Sequence, residues 1–400
     1  MFSDIRVLDI SDESGALAGK ILADLGADVI AIEPPGGSSA RRPPYLDGNR
    51  AWSLAWLALH TSERGITLDW TRPTGRDLLL RLLEQADVLI ESEVPGRLAD
   101  LGLGSEILAA RAPRLVHCSI TPFGSTGPRA QWRAGDLVSV ALGGNASMTG
   151  DADRAPVRCT LPTAFLHAGP EAATGIATAL YAREEIGRGQ HVDVSLVECQ
   201  ATTLLGAAAL EKFRGAGRRA GARLGRTREI WRAADGWISF GLRGGPARIP
   251  NLVATVAWME ECGLAPDWLR DFDWAAYRPH ELGDEELARL EDAFAAFFAS
   301  RPRRELYEES LARRILLAPC NDAAEIAAHP QLESREFFVE VEVPGSGRSL
   351  RHPGGFVTTG EGGLRVRGAA PSIGEHNEAV YGALGMDPGE LESLRAAGVI

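Results

Sequence analysis

The sequence predicts an α/β protein: a doubly wound, Rossmann-like parallel sheet as the larger domain, with a smaller α+β domain beside it. Three observations carry that expectation. Strand-like and helix-like runs alternate with short connections through the first two hundred residues, which is the pattern of a parallel sheet. The chain has 400 residues, more than one simple core accommodates. The composition then shifts at residues 201–228, from an alanine-rich run into the basic, glycine-rich FRGAGRRAGARLGRTR, as expected of a crossing between lobes.

The elements follow in order. Residues 5–10 read as a buried strand, and a polar turn, SDESG, leads to the helical ALAGKILADLG. ADVIAIE forms the second strand and closes in Glu33. An acidic residue there suggests a dinucleotide site, but the first turn offers only Gly15 and Gly19 and lacks G-x-G-x-x-G. PPGGSSARRPP is a loop carrying Arg41 and Arg42. A tryptophan-bearing helix at 51–60, the strand RGITLDW, and a helix with Pro73 in its first turn come next. ADVLIES, GSEILAARA and RLVHCSITPFG continue the alternation. Residues 137–144 read as an apolar helix, with Asp136 as its N-cap. LPTAFLHAGPEAATGIATALYAREEIGRGQ (161–190) reads as a loop, a small-residue helix over 169–183 and a glycine turn into the strand HVDVSL. Beyond residue 228 come a strand, GWISFGLR, helices around 251–263, 284–300 and 305–315, a β-rich run from FFVEVEV, and a closing helix, ELESLRAAGVI. The expected division is 1–200 for the first part of the large domain, 201–228 for a linker, 229–330 for the small domain, and 331–400 for a return segment completing the large domain.

Composition narrows the function. A net charge of −12 argues against nucleic acid as a partner, which needs a basic face. With lysine nearly absent, an anionic ligand would be met by arginine, whose planar fork suits phosphate. The five cysteines are scattered, odd in number and without a CxxC pair. That suits free thiols in a reducing cytoplasm and gives no metal site. No apolar run is long enough to cross a membrane, and the acidic N-terminus does not resemble a signal peptide.

The chain resembles the class III CoA-transferase family, whose members include carnitine CoA-transferase, formyl-CoA transferase, 2-methylacyl-CoA racemase and benzylsuccinate CoA-transferase. The matching stretches are RVLDISDESGALAGKILADLGADVIAIEPPGG, RGITLDW with PTGR, ADVLIES with PGRLADLGLG, SITPFGSTGP, GRGQHVDVSL, and GEHNEAVYGALG with LRAAGVI. They occur in family order from the first strand to the last helix. The resemblance implies an interlaced homodimer that takes CoA and acyl-CoA as substrates together with a carboxylic acid. It places CoA contacts at Arg72, Arg133 and Leu68, at Arg41 or Arg42 in the loop before the tryptophan-bearing helix, and at Ser92. In the stretch usually written ENF this chain has Glu91, Ser92 and Glu93.

The family's transferases use an aspartate nucleophile four residues before a glycine that opens the small-residue helix. Four before Gly169 is Phe165, whose phenyl ring cannot form an acyl bond. The racemase branch's histidine is absent too, because the matching run is Ala134, Gly135, Asp136. Nearby, His167 and Glu171 lie four apart and would share a helix face. As a pair they suit the proton transfer of a hydratase, lyase or isomerase; as a helix N-terminus they suit capping and the dipole. Three functions stay open: an acyl-CoA enzyme with altered chemistry or with an alternative carboxylate for CoA transfer, a catalytically silent subunit pairing with an aspartate-bearing homologue, and an acyl-CoA binder without turnover.

Overall fold

Six short strands, β1 (Arg6–Asp9), β2 (Asp28–Glu33), β3 (Arg64–Thr67), β4 (Val88–Glu91), β5 (Val116–Thr121) and β6 (His191–Ser195), form one sheet in the order β3-β2-β1-β4-β5-β6. Every neighbouring pair is parallel. The computed structural model describes all residues except 50, 205–218, 356 and 361. Residues 205–218 of the expected linker, including the first part of its basic, glycine-rich run, therefore lie outside the described residues.

The strands are apolar on both faces because helices cover both. On one face α1 (Ala16–Asp24) and α8 (Thr163–Ile186) share a core with Val7, Ile90, Cys118 and Val194. On the other, α3 (Pro73–Leu83) and α5 (Ser105–Arg111) cover Leu8, Ile30 and Leu89. Between these in sequence lie α2 (Leu54–Leu59), α4 (Arg97–Asp100), α6 (Asp136–Leu142) and α7 (Asn145–Met148), with α9 (Leu196–Thr202) following β6. The chain's last residues join the second face: Val380, Tyr381, Leu391, Val399 and Ile400 are buried in the same cluster. Tyr381 donates its hydroxyl to the carbonyl of Thr67 at 2.7 Å, and Asn377 donates to the Thr67 hydroxyl at 2.8 Å.

The chain divides into two compact units: Met1–Ala146 with Arg158–Gly215 and Pro330–Ile400, and Ser147–Val157 with Ala216–His329. The second holds two-residue strands β7 (Arg223–Leu224) and β8 (Thr227–Arg228), and an antiparallel sheet of β9 (Ile230–Ala233), β10 (Gly236–Phe240) and β11 (Leu317–Pro319). Its helices α10 (Ile249–Glu261), α11 (Asp284–Ala299) and α12 (Arg303–Arg313) enclose an aromatic core of Trp231, Phe240, Phe294 and Phe298. Within the first unit, β12 (Phe338–Val343) and β13 (Arg348–Pro353) form a hairpin, and α13 (Asn377–Ala383) and α14 (Pro388–Ala396) end the chain.

One local expectation is corrected. Helix α8 begins at Thr163, not at Gly169, and carries Pro170 inside it. Pattern alone places a proline near a helix start. Here the N-terminus is instead capped from a distance, because the carboxylate of Asp136 accepts the Ala164 N–H at 2.8 Å. Asp136 is consequently not the N-cap of its own helix; Gly135 holds that place.

Candidate functional site

A cleft of ≈ 560 Å³ opens at the carboxyl ends of the strands. Residues following β1, β2, β4, β5 and β6 all line it. Strand order reverses between β1 and β4, so their following loops diverge and leave a crevice, the usual ligand position in an open α/β sheet. Residues 10–14 form one wall and 92–95 another, while Trp132, Arg133 and Phe165 close the remaining sides.

The loop after β1 is built by its own side chains. Asp9 accepts from the Ser11 N–H at 2.8 Å and the Ser11 hydroxyl at 2.6 Å, and Asp12 does the same for Ser14 at 2.9 and 2.6 Å. Ser92 joins the two walls by accepting the Asp12 N–H at 2.8 Å. The expected contact residue Ser92 is therefore in the cleft, with its oxygen already engaged.

The arginines divide. Arg133 is exposed on the cleft lip and has no ion-pair partner among the described residues. Arg72, half exposed, bonds to Asp69 at 3.0 Å and to the Ala397 carbonyl at 2.5 Å, outside the cleft lining. Arg42 pairs with Glu13, a cleft residue. Arg41 is turned away from the cleft. Its guanidinium bonds both oxygens of buried Glu33 at 2.7 Å, donates to the Pro371 carbonyl at 2.9 Å, and lies 3.8 Å from the centroid of the Trp56 ring. Leu68 is also corrected: at 0 % exposure its side chain belongs to the core and presents no surface to a ligand.

Phe165 lines the cleft while its other side packs on the sheet core. The expected His167–Glu171 pair is not assembled. Nδ1 of His167 lies 2.8 Å from Nε2 of fully buried Gln200, so the amide donates and the imidazole accepts there. Glu171 is exposed, and among the described residues no hydrogen bond joins the two. Both sit inside α8 rather than at its first turn, which removes the dipole argument. Three carboxylates do line the cleft: Asp12, Glu13 and Glu93. Asp12 is committed to Ser14 and Glu13 to Arg42. Glu93 makes no side-chain hydrogen bond or close ion pair among the described residues, and burial, then the nearby Glu91, hold its carboxyl above the ordinary range against the opposing charge of Arg97. Sequence reading overlooked Trp132, 56 % exposed beside Arg133; an indole in a polar loop was the available signal.

Behind the cleft lies a buried ionisable group. Burial, with Glu63 adding, pushes Asp9 up to about 6, and burial pushes His60 down to about 4 and Glu63 upward. Gly19 makes room for them, since a Cβ there would stand 2.5 Å from Asp9 Oδ2 and 3.0 Å from Glu63 Oε1. The raised Asp9 value means the fold binds that proton more tightly than the unfolded chain does. Its contribution therefore favours folding below the unfolded value and is lost as pH rises through about 6. His60 has the opposite sign, favouring folding above its unfolded value and losing that as pH falls through about 4. Asp9→Asn keeps an oxygen for Ser11 and cannot ionise. Its stability gain over wild type is expected to be small at pH 4.5 and to reach ~2–3 kcal/mol at pH 7.5. Urea midpoints at both pH values check this, and an equal offset at both would show that Asp9 stays ionised in the fold.

Among the described residues no helix is long and apolar enough to cross a membrane. The chain matches the model of CoA-transferase family III over residues 2–377. It is 35% identical over 407 residues to succinyl-CoA:(R)-benzylsuccinate CoA-transferase subunit BbsE of Thauera aromatica, covering 100% of this chain and 98% of that one. A formyl-CoA:oxalate CoA-transferase of Streptomyces coelicolor is 30% identical, with 99% and 98% covered. Among solved structures, a CAIB/BAIF family protein from Brucella suis superposes with a TM-score of 0.82 at 26% identity, covering 95% of this chain and 98% of that one. With the family model matched over residues 2–377 and a relative 35% identical over the full length, this chain belongs to CoA-transferase family III.

Proposed function

We propose that this chain is the CoA-thioester-binding subunit of a two-chain CoA-transferase, and that a homologous partner bearing an aspartate supplies the nucleophile. The observation that carries the reading is Phe165 on the cleft wall, where α8 presents no carboxylate. In the transfer so proposed, the partner's carboxylate attacks the thioester carbonyl, the C–S bond breaks and CoA leaves as thiolate. The thiolate then attacks the enzyme carbonyl of the anhydride, freeing the first acid and leaving an enzyme–CoA thioester. The acceptor carboxylate reverses both steps and departs as the new thioester. Within this chain, Arg133 at the lip meets an anionic phosphate, and the apolar wall of Ile10, Ile120, Phe165 and Leu196 keeps water from the thioester arm. The subunit name of the Thauera aromatica relative supports a two-chain assembly. So do the exposed apolar residues Leu137, Val138 and Leu142 on α6, which leave a surface for a homologous chain or a second copy.

A second reading rests on Glu93, the cleft carboxyl not engaged in a side-chain hydrogen bond among the described residues, which would let this chain transfer CoA alone. One experiment separates them. The purified chain, incubated with succinyl-CoA and a dicarboxylate, is expected to turn over at background and to yield no carboxylate trapped by hydroxylamine. Co-expression with an aspartate-bearing homologue is expected to raise turnover at least ~10³-fold, the scale of losing a nucleophile. Turnover by the chain alone, with the label on Glu93, would sink the two-chain reading.

A further inference from the structure

A second cleft, of ≈ 450 Å³, lies on the other side of the 93–95 loop. Its polar floor comes from three adjacent strands. Residues 117, 119 and 121 of β5 alternate onto one sheet face, and the parallel register sets Glu91 beside Ser119 and His117 beside His191. The side chains form a linked set. The Ser119 hydroxyl lies 2.8 Å from His191 Nε2 and 3.5 Å from His117 Nε2, which is 3.3 Å from Glu91 Oε1. The two imidazole centroids are 4.9 Å apart. The other oxygen of Glu91 accepts the Glu93 N–H at 2.6 Å, and Glu93 borders both clefts.

The chemistry of this floor selects its ligand. Glu91 and Glu93 bring negative charge, and no arginine or lysine is among the cleft's lining residues, so an anion is disfavoured. Among the described residues no group of three His, Cys, Asp or Glu side chains is placed to hold a metal ion. Facing the floor is an apolar wall of Val94, Pro95, Leu98, Ala99 and Leu103. The set asks for a compact hydrogen-bond donor with positive charge at one end and hydrocarbon at the other. We propose that this second cleft binds a small alkylammonium ion, its head at Glu91, Ser119 and the two imidazoles and its tail on the Val94–Leu103 wall. Of these floor residues the family resemblance touches only Glu91, through the stretch usually written ENF, and assigns it no ligand; the proposal does not depend on where the acyl-transfer nucleophile resides.

Titration calorimetry of the full chain with n-butylammonium chloride tests it, with 1-butanol, sodium butyrate and zinc chloride as comparators. The expected result is saturable binding of n-butylammonium, at least tenfold tighter than 1-butanol, with no binding of butyrate. Glu91→Gln is expected to weaken it at least tenfold. Since Glu91 is buried, Ser105→Trp serves as a second variant: Ser105 is exposed on the cleft edge, and the indole is expected to block entry while leaving the unfolding midpoint unchanged. No saturable heat from n-butylammonium overturns the proposal. So does equal affinity for 1-butanol, or binding that survives both folded variants, or zinc binding that displaces n-butylammonium.

Discussion

Replacing Arg41 with alanine is expected to destabilise the protein by about 3–5 kcal/mol, as removing one partner of a buried ion pair does. Glu33 is 1 % exposed, and Arg41 supplies two of its three short hydrogen bonds; the third comes from the Ser38 N–H at 2.8 Å. Alanine leaves that carboxylate buried with one donor, strips the cation from the Trp56 face and leaves the Pro371 carbonyl with Trp56 Nε1 at 2.9 Å as its donor. Lysine is expected to rescue little, because it cannot bind both oxygens in one plane. Arg133→Ala provides the contrast. That side chain is exposed and without an ion-pair partner among the described residues, so its loss is expected to change stability by no more than ~0.5 kcal/mol. It is expected to weaken CoA binding about tenfold, the value of one charge-assisted contact to phosphate. Urea denaturation and CoA titration of both variants provide the check. An Arg41→Ala protein with the wild-type midpoint and weakened CoA binding would return Arg41 to the ligand site.

Gly189→Ala is expected to cost 3 kcal/mol or more, on the order of a severe core clash. A Cβ at residue 189 would stand 1.8 Å from the Leu115 carbonyl oxygen and 2.4 Å from its carbon. Both are backbone atoms, so no rotamer change relieves the contact. The chain is also pinned there, with Gly189 N–H donating to the Pro113 carbonyl at 2.9 Å and His117 N–H to the Gln190 carbonyl at 2.9 Å. Relief therefore means parting the first residues of β5 and β6, the strands that bring His117, Ser119 and His191 together. Gly187, two residues earlier, is the control. It adopts φ of +71° and has nothing near its missing Cβ, so alanine there meets only backbone strain, about 1 kcal/mol. Thermal and urea unfolding of the two variants will rank them. Equal losses would mean that β6 accommodates the methyl by a shift the fold tolerates.

The cleft could be anticipated only in part. Phe165, Ser92 and Arg133 were each visible as departures or matches in short motifs, and all three line it. Arg41, Arg42 and Arg72 carried the same charge logic, yet each has a carboxylate partner. Charge says that a residue seeks a counter-ion; it does not say whether the counter-ion is a ligand or Glu33.

What the sequence determined by itself is the class of fold and the order of its elements. Apolar runs such as VIAI and VLI, flanked by short turns and amphipathic helices, bury equally well only in a parallel sheet covered on both faces. That information is local, written in the spacing of apolar residues along a few turns or strands. The tertiary structure alone decided the pairings between distant positions. Asp136 caps the helix at Ala164, Leu68 disappears into the core, His167 turns to Gln200, and Glu91, Ser119 and His191 meet from three strands. Each depends on which segments the sheet order brings side by side, and hydrogen-bonding capacity has no address until the backbone provides one.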